Sequence, residues 1–266
     1  MKIGFLITAR LKSSRLPLKL LLDLNGRTVI ERIIDRAKTV HDISEVVLCT
    51  STNPQDKPLV DIARSNGVYY YNGDEEDVLK RLFDAAIFFN LDYIISITAD
   101  NPLFSIYHAN LIVDTIKRTK CDFVKITGLP LGAATSGLKV KALKLVCEVK
   151  KIIDTEIWGP LIDRPDLFAI EHIVVDGFFN KPDLRLTLDY EEDYELLKNI
   201  YYELNESPVV DLHDAIYYLN INPDINNINM NCVQRELDEE TLNNINETFL
   251  NKRDDIAKLK QSIYRE

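Results

Sequence analysis

Ile3-Gly4-Phe5-Leu6-Ile7-Thr8, running directly into Ala9-Arg10-Leu11-Lys12-Ser13-Ser14-Arg15-Leu16-Pro17-Leu18-Lys19, decides how the chain is read. The first stretch is a short apolar run with no polar face, the pattern of a strand buried on both sides of a parallel sheet. The second carries four cations, Arg10, Lys12, Arg15 and Lys19, and no acid. Ligands of open α/β sheets sit beyond the carboxyl ends of strands. A basic loop at that edge suits a polyphosphate: arginine grips phosphate oxygens bidentately, lysine serves as a mobile point charge, and Ser13 and Ser14 add hydroxyl donors. A solvated cationic loop is the alternative. Neither GxGxxG nor GxxxxGK[ST] follows the strand, which argues against a Rossmann dehydrogenase and a P-loop kinase.

Working outward, strands alternate with helices. Arg27 to Val40 carries Val29, Ile30, Ile33, Ile34 and Ala37 at helical spacing. Val46 to Thr50 reads as a strand, Asp56 to Ser65 as a helix, and Tyr69 to Tyr71 as a short strand stopped by Asn72-Gly73. Asp74 to Phe89 reads as a helix with acids at its start, complementing the dipole. Tyr93 to Thr98, Asp122 to Thr127 and Leu184 to Leu188 are further strand expectations, and Glu191 to Leu204 a helix. The alternation predicts an α/β fold, a mostly parallel central sheet with helices on both faces. Residues 128–182, broken by Pro130, Gly132, Gly137, Gly159, Pro160 and Pro165, read as a middle insertion that covers the site or builds a dimer contact. Asn220 to Asn231 reads as a loop, and 236–266 as peripheral charged helices, leaving 1–235 as the main domain.

The whole chain has 266 residues, enough for one large domain, and acids outnumber bases by 42 to 32, giving a formal charge of −10. A globally acidic surface disfavours non-specific nucleic-acid binding. Cys49, Cys121, Cys147 and Cys232 form no CxxC pair, so neither a zinc site nor a disulfide framework is expected. The opening MKIGFLITAR lacks a long apolar core and cleavage site, and no apolar stretch approaches the roughly 20 residues of a membrane span. A cytoplasmic protein with reduced thiols is the expectation.

Two aspartates end strand expectations: Asp100 in Thr98-Ala99-Asp100-Asn101-Pro102 and Asp189 in Thr187-Leu188-Asp189-Tyr190. Both emerge at the carboxyl edge beside the basic loop. Mg²⁺ takes one or two carboxylates plus phosphate oxygens and water, which this pair with a triphosphate supplies. Alone, Asp189 also reads as a helix N-cap and Asp100 as a turn residue. His41, His108, His172 and His213 are scattered and read as structural or surface residues.

These residues together resemble the sugar cytidylyltransferases, a group that includes the CMP-Kdo and CMP-sialate synthetases, and most of all the spore-coat polysaccharide biosynthesis branch. The resemblance lies in Ala9-Arg10-x-x-Ser13-x-Arg15-Leu16-Pro17-x-Lys19, Gly73-x-x-x-Asp77-Val78-Leu79-x-Arg81, Asp100-x-Pro102-Leu103 and Leu129-Pro130-x-Gly132. It continues in Arg185-Leu186-Thr187-Leu188-Asp189-x-x-x-Asp193 and Asn222-Pro223 through Ile228-Asn229, and spans about residues 1–235. It implies a nucleotide-diphosphosugar-transferase-like fold, Mg²⁺, CTP, release of pyrophosphate and a homodimer. It implies that Arg10, Arg15 and Lys19 contact the triphosphate, with Ala9 and Arg10 near the base and Ser13 and Ala99 in the nucleotide site. Asp100 and Asp189 hold the metal, and Asp77 and Arg81 sit at the nucleotide or on the helix walling it. Arg10, Arg15, Lys19 and Asp100 are then the catalytic set.

The chain also departs from that pattern. Leu18 stands where the family usually has glycine, and Ala99 replaces the glycine before the metal aspartate. Ala133-Ala134-Thr135-Ser136 lacks the usual glutamate, and Glu156-Ile157-Trp158-Gly159-Pro160 replaces Glu-His-Val-Thr-Pro. The last two fall in the expected acceptor region, so Glu156, Trp158 and Ser136 become acceptor candidates, with a core or dimer anchor as the alternative for Trp158. Lys139 and Lys141 are candidates to meet an acidic acceptor. The function expected is coupling of CTP to an acidic or phosphorylated sugar-like acceptor for surface polysaccharide or glycan biosynthesis. A glycosyltransferase of the same sheet architecture is disfavoured by the absence of D-x-D near the strand ends, and a non-catalytic nucleotide-binding homologue by retention of the cations and aspartates.

Overall fold

A computed structural model of the chain describes residues 1–205, 207 and 209–265; Glu266, the expected end of the C-terminal helices, lies outside them. Seven strands form one sheet: β1 (Ile3–Thr8), β2 (Glu45–Ser51), β3 (Tyr69–Gly73), β4 (Tyr93–Thr98), β5 (Phe123–Thr127), β6 (Ser136–Lys139) and β7 (Ile170–Val174). Their order is β3-β2-β1-β4-β6-β5-β7. All neighbours run parallel except β6, which is antiparallel to β4 and to β5. The mostly parallel sheet expected from the alternation of elements is therefore present.

Side-chain alternation along β1 shows why its sequence is apolar throughout. Ile3, Phe5 and Ile7 enter one core cluster, and Leu6 enters the other with Val47, Cys49 and Ile94. The first face is covered by α1 (Val29–Ala37), α2 (Lys57–Ser65), α4 (Ile106–Thr119), α7 (Glu191–Glu203) and α8 (Leu212–Ile221); the second by α3 (Val78–Phe88) and α5 (Val140–Val149). Two short turns of helix, α6 (Gly159–Ile162) and α9 (Pro223–Asn226), lie in the connections. The C-terminal helices α10 (Glu239–Asn251) and α11 (Arg253–Arg265) also close the second face, burying Ile245, Phe249, Ile256 and Ile263. A fully buried side chain of this size contributes about 1.5–3 kcal/mol, so this pair covers core.

Four expectations change. Asn220 to Asn231, read as a loop, takes in the end of α8 and the short α9. Residues 128–182, read as irregular, supply β6 and β7, so part of the segment is built into the sheet. Leu184–Leu188 is not a sheet strand. It makes one isolated bridge, Leu131 to Arg185, and its backbone pairs with loops: Leu186 N–H donates to the Leu131 carbonyl and Leu188 N–H to the Asp100 carbonyl, both 2.8 Å. The helix expected from Asp74 begins at Val78. Asp74 accepts the N–H groups of Glu76 (3.0 Å) and Asp77 (2.8 Å), a local turn that competes with helix. Asp77 then caps α3 at the Lys80 N–H. No helix among the described residues is long and apolar enough to cross a membrane.

β1, β2 and β3 step in one direction across the sheet, and β4 returns to the other side of β1. That reversal is a topological switch point, where ligand crevices of open α/β sheets form.

Candidate active site

At the switch, the ends of β1 and β4 are held together by the Ala99 N–H donating to the Thr8 carbonyl at 2.9 Å. The basic loop leaves β1, and Thr98-Ala99-Asp100 leaves β4, on the same edge. Between them opens a cleft of about 620 Å³, within the range of small-molecule sites. Thr8, Ala9, Arg10, Ser13, Arg15, Lys19, Arg81, Ala99 and Asp100 all line it.

Lys19 ties the site together. Its Nζ donates to Asp100 Oδ2 at 2.7 Å, to Asp189 Oδ1 at 2.9 Å and to the Leu188 carbonyl at 2.7 Å. Arg15 Nη2 reaches the same Asp189 oxygen at 2.8 Å, and its guanidinium lies 5.2 Å above the Tyr190 ring. Asp100 Oδ1 accepts from Thr98 Oγ1 at 2.6 Å and from Asn101 Nδ2 at 3.2 Å. Burial is the largest influence on Lys19 and opposes its charge. Attraction and hydrogen bonding from Asp100 and Asp189 together outweigh it and hold the ammonium above its ordinary pKa. For Asp100, burial pushes upward, and the attraction and hydrogen bond of Lys19 with the Thr98 bond win, leaving the carboxyl below its usual range.

The other wall carries more charge. Arg10 Nη1 donates to the Glu75 carbonyl at 2.6 Å and lies 3.4 Å from Glu76 Oε2, with Glu156 Oε2 4.0 Å from Nη2. Lys12 pairs with Glu76 at 3.2 Å. Arg81 is 1% exposed; its Nη1 donates to the Asp74 carbonyl at 2.7 Å, and its Nε is buried without a partner. Ser13 Oγ accepts the Leu16 N–H at 3.3 Å, folding the basic loop back on itself. Leu18 has φ 54° and ψ 23°. The left-handed turn that glycine would favour is kept with leucine in place, and the side chain is exposed to solvent.

The structure separates the remaining sequence candidates. Asp189 is 5% exposed and sits just behind the cleft. It does not cap α7: Asp193 Oδ2 accepts the N–H groups of Asp189 (2.9 Å) and Tyr190 (3.0 Å), freeing the Asp189 side chain for the cations. Asp77 does not line the cleft. It is buried against Lys150, with which it forms an ion pair, and against Thr155, whose Oγ1 donates to it at 3.0 Å. Of the acceptor candidates only Glu156 lines the cleft. Trp158 packs edge-on against Phe123, ring centroids 6.3 Å apart, on the second face of the sheet, the anchor alternative. Ser136 lies opposite Ser96 in the β4–β6 pairing. Lys139 sits over the Tyr93 and Tyr264 rings beside Asp122, and Lys141 donates to the Tyr264 carbonyl, both away from the cleft.

Sequence reading missed the roles of Arg185, Asp193 and Asn229, and the presence in the cleft of Tyr190, Val233, Gln234 and Arg235. The i, i+4, i+8 spacing of Arg185, Asp189 and Asp193 was a usable signal. Arg235 gave none: it comes from a segment that reads as the end of the domain, yet it pairs with Glu156 at 3.1 Å.

Sheet order, switch-point cleft and clustered cations define a nucleotidyltransferase-like α/β protein. Residues 5–220 match the family model described as cytidylyltransferase, and the chain belongs to that family. It is 31% identical to an uncharacterised protein of Methanocaldococcus jannaschii, over 90% of this chain and 99% of that one. It is 27% identical to the spore coat polysaccharide biosynthesis protein SpsF of Bacillus subtilis, over 84% of this chain and 95% of that one. Among solved structures it resembles a cytidylyltransferase from Leptospira borgpetersenii serovar Hardjo-bovis, with a TM-score of 0.79 and 26% identity, covering 89% of this chain and 100% of that one. The CMP:2-keto-3-deoxy-manno-octonic acid synthetase complexed with CTP shares the fold at a TM-score of 0.62 and 15% identity, over 76% of this chain and 99% of that one.

Proposed function

We propose that the cleft binds CTP with Mg²⁺ and transfers its CMP group to an oxygen of an acidic or phosphorylated sugar-like acceptor, releasing pyrophosphate. One observation carries the reading: at the topological switch, one lysine ammonium bridges two carboxylates, Asp100 just past β4 and Asp189 just before α7, with Arg15 on the second.

The donor set suits a hard divalent cation. Asp100 and Asp189 converge on a single positive charge, both carboxylates are hydrogen-bonded from behind, and oxygen is the ligand type Mg²⁺ takes. Two carboxylates leave the rest of an octahedral shell to phosphate oxygens and water. Asp100 and Asp189 are the residues that would hold it, and when bound it neutralises charge on the phosphate oxygens.

The chain's own part is positioning and charge. Lys19 and Arg15, released from the aspartates, bind triphosphate oxygens and stabilise the leaving pyrophosphate. Arg10 and the buried Arg81 bring donors to the other side of the nucleotide. Ala9 and Ala99, small and nearly buried, form the floor at the strand ends, where a larger side chain would fill the space of the ligand. An in-line displacement needs alignment more than a covalent intermediate, and no nucleophile–base pair is called on. Glu156 and Arg235 on the rim lie where an acceptor would approach.

The name of the Bacillus subtilis relative supports a place in surface polysaccharide synthesis, and a homologous fold solved as a complex with manganese supports a divalent ion. A cytoplasmic homodimer with its contact in 128–182, and a main unit of 1–235 followed by 236–266, complete the reading. Pyrophosphate release with Mg²⁺, the four nucleoside triphosphates and a panel of acidic and phosphorylated sugars tests it. Release with CTP and one acceptor, lost in Asp100→Asn, is expected; turnover with a different triphosphate alone would reject cytosine.

A further inference from the structure

We propose that Arg185, clamped by Asp193 and Asn229, is a positioning residue that aims Asp189 at the divalent cation. The inference rests on the reading of Asp189 as a metal carboxylate and goes beyond it in assigning what fixes that carboxylate's orientation.

Asp193 is fully buried and receives five donors. Its Oδ1 accepts from Arg185 Nε and Asn229 Nδ2, each at 2.8 Å; its Oδ2 accepts from Arg185 Nη2 at 3.0 Å and from the Asp189 and Tyr190 N–H groups at 2.9 and 3.0 Å. Asn229, itself 3% exposed, also donates to the Arg185 carbonyl at 3.1 Å, so it ties the Arg185 backbone to the carboxylate that holds the guanidinium. The guanidinium, fixed on these sides and 5.6 Å from the Tyr190 ring, presents Nη2 to Asp189 Oδ2 at 3.0 Å. That leaves Asp189 Oδ1 as the oxygen turned to Lys19 and Arg15.

Stability alone is a weak reason for this arrangement, since a buried ion pair often contributes little relative to apolar residues of similar size. Its distinctive consequence is that one oxygen of Asp189 is bound from behind, which sets the direction of the other. Partners of this kind orient ligating carboxylates, and their loss typically lowers metal affinity about 10–100-fold.

Two variants keep every charge in place and loosen the grip; Arg185→Lys also gives up the Nη1 bond to Gln234 at 2.9 Å, which Asn229→Ala leaves in place. Arg185→Lys retains the cation but cannot contact Asp193 and Asp189 together in a planar fork. Asn229→Ala removes one donor from Asp193 and one from the Arg185 carbonyl. Mn²⁺ affinity in the presence of CTP, read by electron paramagnetic resonance of free Mn²⁺, is compared with thermal stability measured without metal. The expected result is Mn²⁺ dissociation constants about 10–100-fold higher in Arg185→Lys and about threefold or more in Asn229→Ala. Wild-type affinity in the folded fraction of both variants, whatever the change in melting temperature, would overturn the positioning role. If Arg185→Lys does not fold, Asn229→Ala alone decides. A wild-type protein that binds CTP but no Mn²⁺ would instead overturn the assignment of Asp189 as a metal carboxylate, and this inference with it.

Discussion

Gly132 is the residue at which the fold and the site can be stressed together. It has φ +91°, and a Cβ placed on it would lie 2.6 Å from Asn101 Oδ1, 2.7 Å from the Thr187 nitrogen and 3.0 Å from the Leu186 carbonyl carbon. Two of those neighbours are backbone and cannot rotate away. Gly132→Ala therefore adds left-handed strain of about 1–2 kcal/mol and overpacking of about 1–3 kcal/mol. The smaller entropy of the unfolded alanine chain offsets about 0.4–1 kcal/mol, which leaves roughly 2–4 kcal/mol of destabilisation. For a chain of this length that is a melting-temperature drop of roughly 5–12 °C. Gly26→Ala is the matched control: φ is +79° and nothing lies within 4 Å of the added carbon, so strain alone acts and the net cost is about 1 kcal/mol. Urea unfolding of the two variants beside the wild type gives the comparison. Equal destabilisation would refute the packing argument. The neighbours Gly132 touches lead directly to Asp100 and Asp189, so the folded fraction of Gly132→Ala is also expected to bind CTP less tightly than Gly26→Ala.

Other substitutions separate strain, capping and site. Leu18→Gly removes left-handed strain at an exposed position and, after the entropy cost of glycine, should raise stability by about 0.5 kcal/mol; a lower urea midpoint would count against it. Asp77→Ala breaks the buried pair with Lys150 and should cost about 3 kcal/mol or more, while nucleotide affinity of the folded protein changes less than twofold, because the side chain does not line the cleft. A large loss of affinity in stable protein would restore Asp77 to the nucleotide site. Glu31 closes the capping box of α1, accepting from the Thr28 N–H at 2.8 Å and Oγ1 at 2.9 Å. Burial pushes its pKa up, but the Thr28 bonds, with Asn66 and Arg27, hold it below its ordinary value of 4.5. A depressed carboxyl pKa contributes stability that is present above the unfolded value and lost as pH falls through the folded one. The stability gap between wild type and Glu31→Gln should therefore be full near neutrality and shrink below pH 4.5; a gap independent of pH would contradict the assignment.

Much of this molecule was legible in its sequence where a single physical constraint dominates. β1 and β4 are buried on both faces, so their apolar runs gave the strand limits that the structure shows, Ile3–Thr8 and Tyr93–Thr98. The basic loop stood out because its charge opposes that of the whole chain, and Arg10, Arg15 and Lys19 do meet Asp100 in one cleft. Other features depend on partners distant in the chain. β6 has four residues, too few for periodicity to register, and it is a strand only because β4 and β5 flank it. Leu184–Leu188 alternates like a strand but finds loop backbone at 131 and 100 beside it. Asp77 and Trp158 carry chemistry that suits a site, and tertiary packing commits them to a helix cap and an aromatic contact. The Arg185–Asp193–Asn229 clamp joins residues 44 apart between Asn229 and Arg185, a pairing no local pattern announces.

The central claim is that the cations and aspartates at the β1–β4 edge form a nucleoside triphosphate site. Calorimetric titration of CTP, UTP, ATP and GTP with Mg²⁺, on wild type and on Arg15→Ala, tests it without knowledge of the acceptor. Binding of CTP in preference to the other three, weakened at least tenfold in Arg15→Ala, is the predicted result. Failure of the folded wild-type protein to bind any of the four would contradict the account.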